Sequence, residues 1–162
     1  MPWQVHTINE SCHHVDIILQ LNSSPHSMEI WPFEFNVQAR FVFARTLTVE
    51  LTTTNTGTKT FAISQALHTY FNCNDINDVR VLGLTGACYQ NKLTNENAYI
   101  PTDFRFNQEI DWIVQEPGNP VGLRGLGNSA VKMTRMGSRS LILWNPWIDK
   151  SKLLSHFNAA DY

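Results

Sequence analysis

From Trp3 to Phe71 apolar and polar residues alternate almost without a break, and few folds accept such a pattern. One apolar side chain at every second residue is the geometry of a strand half buried on one face, whereas a helix needs a period near 3.6. Val15, Ile17, Leu19 and Leu21 keep the alternation with Asp16 and Gln20 opposite. Phe33, Phe35, Val37, Ala39, Phe41 and Phe43 keep it with Asn36, Gln38 and Arg40 opposite. Leu47, Val49, Leu51 and Thr53 follow, backed by Thr46, Thr48 and Glu50. Trp3, Val5 and Thr7 start an earlier strand, and residues 22–27, NSSPHS, read as a loop. The connection at Ala44-Arg45 is short, and residues 55–58 place Gly57 where a hairpin turn favours positive φ. Strands joined by such turns predict an antiparallel meander, with residues 61–71, FAISQALHTYF, as its next member.

That last stretch carries the strongest candidate for chemistry. Read as a strand, it puts Phe61, Ile63, Gln65 and Leu67 on one face and Ala62, Ser64, Ala66, His68 and Tyr70 on the other. A packed face needs volume, so three small side chains leave a hollow that ends in an imidazole and a phenol. His68 and Tyr70 thus suit the floor of a polar site; a histidine with both nitrogens satisfied by structure is the competing reading.

Beyond Phe71 the pattern loosens. Residues 79–82 and 87–91 read as short strands, with Gly83 and Gly86 bracketing the turn between them. Residues 91–102 read as loop, 104–106 and 110–114 as strand pieces, and the glycine-rich 118–127 as loop. Residues 131–136 and 140–144 form a predicted hairpin around Gly137-Ser138, and 151–157 a helical turn. The chain is expected to be all-β, a single domain over residues 1–162 built as an antiparallel β-sandwich.

Composition excludes several classes of function. With 162 residues, 43% hydrophobic and 16% charged, the chain can bury a core and is not disordered. A net charge of −2 offers no basic patch for nucleic acid. No apolar run is long enough to span a bilayer, and the first residues have no signal-peptide pattern. Cys12, Cys73 and Cys88 are odd in number and irregularly spaced, which points to a reducing cytoplasm rather than a disulfide framework. Cys73 has only an Asn-rich neighbourhood and no base to activate it, so it reads as structural. His13 and His14 are adjacent and point to opposite faces of a strand, and His6, His26 and His156 have no ligand spacing. No metal site is expected.

Two further places combine polar and aromatic groups. Asp111 sits inside IDWIV beside Trp112, either as an exposed edge-strand charge or as a carboxylate that accepts hydrogen bonds from sugar hydroxyls. Trp144 and Asn145, in Trp144-Asn145-Pro146-Trp147, either anchor a strand end or supply an indole and an amide to a carbohydrate pocket.

Arg45-Thr46 followed by LTVELTTTNTG at 47–57, and above all Ala66-Leu67-His68-Thr69-Tyr70-Phe71, resembles the hexose-6-phosphate mutarotases. These glucose-6-phosphate 1-epimerases are a branch of the aldose 1-epimerase, or galactose mutarotase-like, superfamily. Trp31-Pro32-Phe33-Glu34-Phe35, residues 75–84 and Trp144-Asn145-Pro146-Trp147 are similar to it as well, so the likeness runs over most of the chain. The resemblance implies a large antiparallel supersandwich, incomplete here, and interconversion of the α and β anomers of a hexose or hexose 6-phosphate. It implies His68 as the general acid on the ring oxygen, Asp111 as a holder of sugar hydroxyls, and no cofactor.

The departures are specific. The His-Gly-Phe-Ala-Arg element and the basic region that would hold a sugar phosphate do not precede Trp3. The strand bearing the family's glutamate base, in a Val-Glu context, is not found before Tyr162, and none of the chain's seven glutamates has that context. The chain therefore reads as the middle-to-late part of a mutarotase, with sheet edges open to self-association. A non-catalytic carbohydrate-binding or strand-pairing module is the alternative.

Overall fold

The structure is a computed structural model that describes residues 2–154. Its backbone divides into two compact units, Met1–Thr69 and Tyr70–Tyr162. The protein is all-β, with antiparallel pairing throughout.

The first unit holds β1 (Gln4–Glu10), β2 (Val15–Asn22), a short helix α1 (Pro25–Ile30), β3 (Phe35–Phe43) and β4 (Leu47–Asn55). The strands form one sheet in the order β1-β2-β3-β4, the meander that the alternation predicts. Ile17 pairs with Phe41, Leu19 with Ala39 and Leu21 with Val37. Phe41 in turn pairs with Val49, and Ala39 with Leu51. A bulge between Val5 and Thr7 shifts the register of β1, so that Val5 lies opposite Leu19 and Ile8 opposite Ile17. The extra residue brings both onto the apolar face, where unbroken period two would have placed Thr7.

The reverse face is polar and is tied by Arg40. Its guanidinium donates to both oxygens of Asp16, at 3.0 Å from Nε and 2.8 Å from Nη2, and its Nη1 donates to Glu50 at 3.0 Å. Such a fork against a carboxylate is among the stronger charge-assisted geometries. The hydrogen bonds from Arg40 hold the Asp16 carboxyl below its usual range, while those from Asp16 and Glu50 hold the Arg40 proton more firmly.

Four expectations fail in this unit. Residues 61–71 are not a strand. A strand exists only through its ladder, and among the described residues none pairs with this stretch, which leaves β4 at the sheet edge. The segment is instead pinned by side chains: Phe61 packs on Trp31 and Phe33, at ring centroids of 4.8 and 5.3 Å, and Gln65 accepts a hydrogen bond from Thr53 at 2.8 Å. Both of its supposed faces are exposed, Ile63 and Leu67 among them, so no packed side opposes a hollow one. The 22–27 loop contains the start of α1, nucleated by Pro25 and by a reciprocal pair of Ser24 and Ser27 side-chain bonds to backbone N–H groups. Gly57 lies outside the left-handed region. It is required by proximity, since a Cβ there would stand 3.2 Å from Glu34.

The second unit has a 3-10 turn at Ile76–Asp78, then β5 (Arg80–Leu82), β6 (Cys88–Asn91), β7 (Asn97–Tyr99) and β8 (Ile110–Gln115). β9 (Val121–Leu126), β10 (Ser129–Met133), β11 (Ser140–Asn145) and the helix α2 (Trp147–Ser151) complete it. Two sheets form, ordered β10-β9-β5 and β11-β8-β6-β7. Between them lies a core that includes Leu84, Ile110, Trp112, Val114, Val121 and Leu143, with Phe104 and Phe106 added from a connection. This is sandwich packing: each sheet buries the face that the other covers.

Here the sequence reading errs in partner choice. The predicted 131–144 hairpin does not form, because β10 pairs with β9 and β11 with β8, in different sheets. Residues 104–106 are not strand; their rings plug the core instead, Phe104 against Trp112 at 5.1 Å. The 118–127 and 91–102 loops contain β9 and β7. Gly122 and Gly125 hide the alternation of β9. Gly125, at φ +82°, passes so close to the Asp78 carbonyl that no Cβ would fit. The helical segment falls earlier, at α2, and residues 155–157 lie outside the described residues. Among the described residues no helix is long and apolar enough to cross a membrane.

Candidate functional site

β8 sorts its residues by parity. Ile110, Trp112 and Val114 are buried, while Asp111, Ile113 and Gln115 lie on the opposite face of the same strand. On β11 the same division holds, with Leu143 in the core and Trp144 on the outer face. Register then brings Asp111 directly opposite Trp144. Cβ atoms of facing residues in an antiparallel pair lie about 4.5–5.5 Å apart. Tyr70 meets Trp144 edge to face at 6.2 Å between ring centroids. Three of the residues singled out from the sequence thus share one place: a carboxylate, an indole and a phenol.

Asp111 is half-buried. Its backbone carbonyl accepts the Lys92 N–H at 2.8 Å, whereas its carboxylate has no hydrogen bond or ion pair among the described residues. A carboxylate with its acceptor sites open, next to two aromatic rings, is equipped to take hydroxyl donors from a ligand whose C–H face lies on a ring.

Asn145 does not join this group. It pairs with core-facing Ile110, on the other side of the sheet from Trp144. Its Oδ1 accepts the Trp147 N–H at 2.9 Å, across Pro146. That bond turns the chain into α2, where Trp147 takes φ +57°. The bland reading of Asn145, an anchor at the strand end, describes its position.

His68 lies in the exposed, unladdered segment and belongs to the first unit. Cys73 is half-buried against the core of the second unit, and burial, aided by the Asp75 charge, pushes its thiol up. This is the setting of an inert thiol rather than a nucleophile. Cys12 and Cys88 are also free thiols. Among the described residues no group of three His, Cys, Asp or Glu side chains is placed to hold a metal.

One concavity was not visible in the sequence. Tyr89, Asn91, Thr94, Glu96, Asn97 and Ala98 line a shallow cavity of about 360 Å³ at the β6–β7 hairpin. Its floor is Tyr89, stacked on Trp112 at 3.8 Å. Residues 91–102 are polar and lack a clear period, so only the hairpin geometry brings these side chains together.

Comparison with known proteins agrees with this architecture. The family model of aldose 1-epimerase matches residues 1–162. A Cenchrus ciliaris protein, provisionally named glucose-6-phosphate 1-epimerase, is 28% identical over 155 residues, covering 91% of this chain and 46% of the relative. A Salmonella typhimurium protein with the same provisional name is 34% identical over 103 residues, 64% of this chain and 33% of the relative. A crystal structure from Salmonella typhimurium, described provisionally as a mutarotase, superimposes with a TM-score of 0.89 at 26% identity. It covers 100% of this chain and 54% of that one. The chain spans about half the length, or less, of the relatives it matches.

Proposed function

The chain belongs to the aldose 1-epimerase family, and we propose that it serves the interconversion of the α and β anomers of a hexose or hexose 6-phosphate, in a reducing cytoplasm. In this reading His68 donates a proton to the ring oxygen while a base withdraws the proton of the anomeric hydroxyl. The C1–O5 bond breaks to give the open aldehyde, the C1–C2 bond rotates, and the reverse proton transfers close the ring on the other face. Histidine suits the acid role because an ordinary imidazole exchanges protons close to neutral pH. Asp111 accepts from sugar hydroxyls, with Trp144 and Tyr70 beside it to cover the ring. The observation that supports this assignment is the pairing of Asp111 with Trp144 across β8 and β11, with Tyr70 against the indole.

A second reading, sugar binding without turnover, draws on the carboxylates. No glutamate of this chain has the Val-Glu context of the family's base. Two of the seven are already engaged by cations, Glu50 by Arg40 and Glu109 by Lys150.

Anomeric exchange of glucose 6-phosphate, followed by magnetisation-transfer NMR against the spontaneous rate, separates the two. Catalysis predicts an acceleration that falls by about 10²–10⁴-fold in His68→Ala, the usual contribution of a positioned acid. Asp111→Asn is expected to weaken sugar binding by about tenfold or more, the loss of a charge-assisted hydrogen bond. Acceleration unchanged in His68→Ala would remove that residue from the mechanism. Binding without acceleration would establish the second reading.

A further inference from the structure

The apolar face of the first sheet has no layer over it. Register places Val5, Ile8, Ile17, Leu19, Phe41 and Val49 side by side on this face, with their neighbours of like parity. Of the hydrophobic residues of Met1–Thr69, only Phe35 is buried, and it lies at the end where Trp31 packs on it at 5.4 Å. The remainder is bare in the whole chain: Val5 is 63% exposed, Ile8 60%, Phe43 49% and Leu47 60%. Residues in the middle strands are half-buried, as in a single layer whose side chains shield one another.

We propose that this face is an interface with a second copy of the chain, two sheets closing face to face into one sandwich. Size is the first argument. Four strands at about 4.8 Å and eight residues at about 3.3 Å give a face of about 500 Å². Two such faces bury about 1,000 Å², the level at which a specific interface becomes stable. One face of this extent is also more than a soluble monomer ordinarily leaves open. Charge is the second argument. The sheet's ion-pair network, Asp16, Arg40 and Glu50, lies wholly on the reverse side. The apolar face is therefore compatible with its own copy, whereas the reverse faces would oppose like charges. Antiparallel sheets with apolar inner faces pack about 10 Å apart at a small angle, and a two-fold axis satisfies that geometry.

Sedimentation equilibrium of the whole chain over a wide concentration range is the test. The expected result is a concentration-dependent approach to twice the 18.5 kDa chain mass. Phe41→Lys should return the mass to that of the monomer, while Thr52→Lys, on the polar face, should leave the dimer intact. A variant that fails to fold is circumvented by a nitroxide at Ala39→Cys, with the native cysteines changed to serine. Dipolar broadening between copies is expected there and not from Gln38→Cys. A monomer at every concentration would overturn the proposal, as would a dimer that Thr52→Lys dissociates and Phe41→Lys does not.

Discussion

Asp16 and Arg40 give the first sheet a dependence on acid. Hydrogen bonds from Arg40 lower the Asp16 carboxyl in the folded chain, so the ionised form is favoured by folding. The resulting stability is complete above the unfolded carboxyl value, near 3.9, and is lost as pH falls through the lower folded value. Thermal unfolding at stepped pH should therefore show a decline below about pH 4. Asp16→Asn should unfold more easily at neutral pH and show a shallower decline in acid. An unchanged acid slope would mean that another carboxylate dominates. At this scale the sequence disclosed residue types better than their positions. His68, Asp111, Tyr70 and Trp144 stand out by chemistry, but the meeting of Asp111 with Trp144 depends on register, which neither strand specifies alone. Asn145 looked like a ligand amide in the linear text, and only its bond to the Trp147 N–H reveals its work in a turn.

Among elements, legibility followed the partners. β2, β3 and β4 were readable because each carries its own alternation and is joined to the next by a short connection. β9 was not, because the glycines that allow close backbone approach are the residues that erase the pattern. Residues 61–71 show the reverse error: the alternation is present and the ladder is not. β8 is the element on which the second unit depends, flanked in its sheet by β11 and β6 and placing Ile110, Trp112 and Val114 in the core. Ile110 is fully buried. Ile110→Ala should cost about 2–5 kcal/mol, read as a lower urea midpoint, because the cavity left by the side chain is only partly refilled. Ile113→Ala, one pleat face away, should cost clearly less. Equal losses would mean that the outer face of this sheet is also packed.

At the scale of the molecule, the two units are built to different standards. Tyr70–Tyr162 closes a core between two sheets, while Met1–Thr69 presents one sheet whose apolar side is uncovered. Family membership and the all-β class were accessible from the sequence because they rest on local motifs and alternation. The unequal burial was not, since a strand's pattern states which face is apolar and not what lies against it.

The exposed stretch at 60–73 has a consequence in the language of proteases. Such enzymes bind their substrates as extended chain and pair with the backbone, so they seek polypeptide not already engaged in a ladder. This segment offers that backbone, with Leu67, Tyr70 and Phe71 as sites for an enzyme that cleaves after large apolar residues. Brief digestion with chymotrypsin should cut here before it cuts β8 or β9, and yield two fragments close to the two compact units. A first cut elsewhere would show that the segment is better protected than its missing ladder suggests. The nick would fall beside His68, so one early scission would mark the candidate acid as the most easily severed part of the chain.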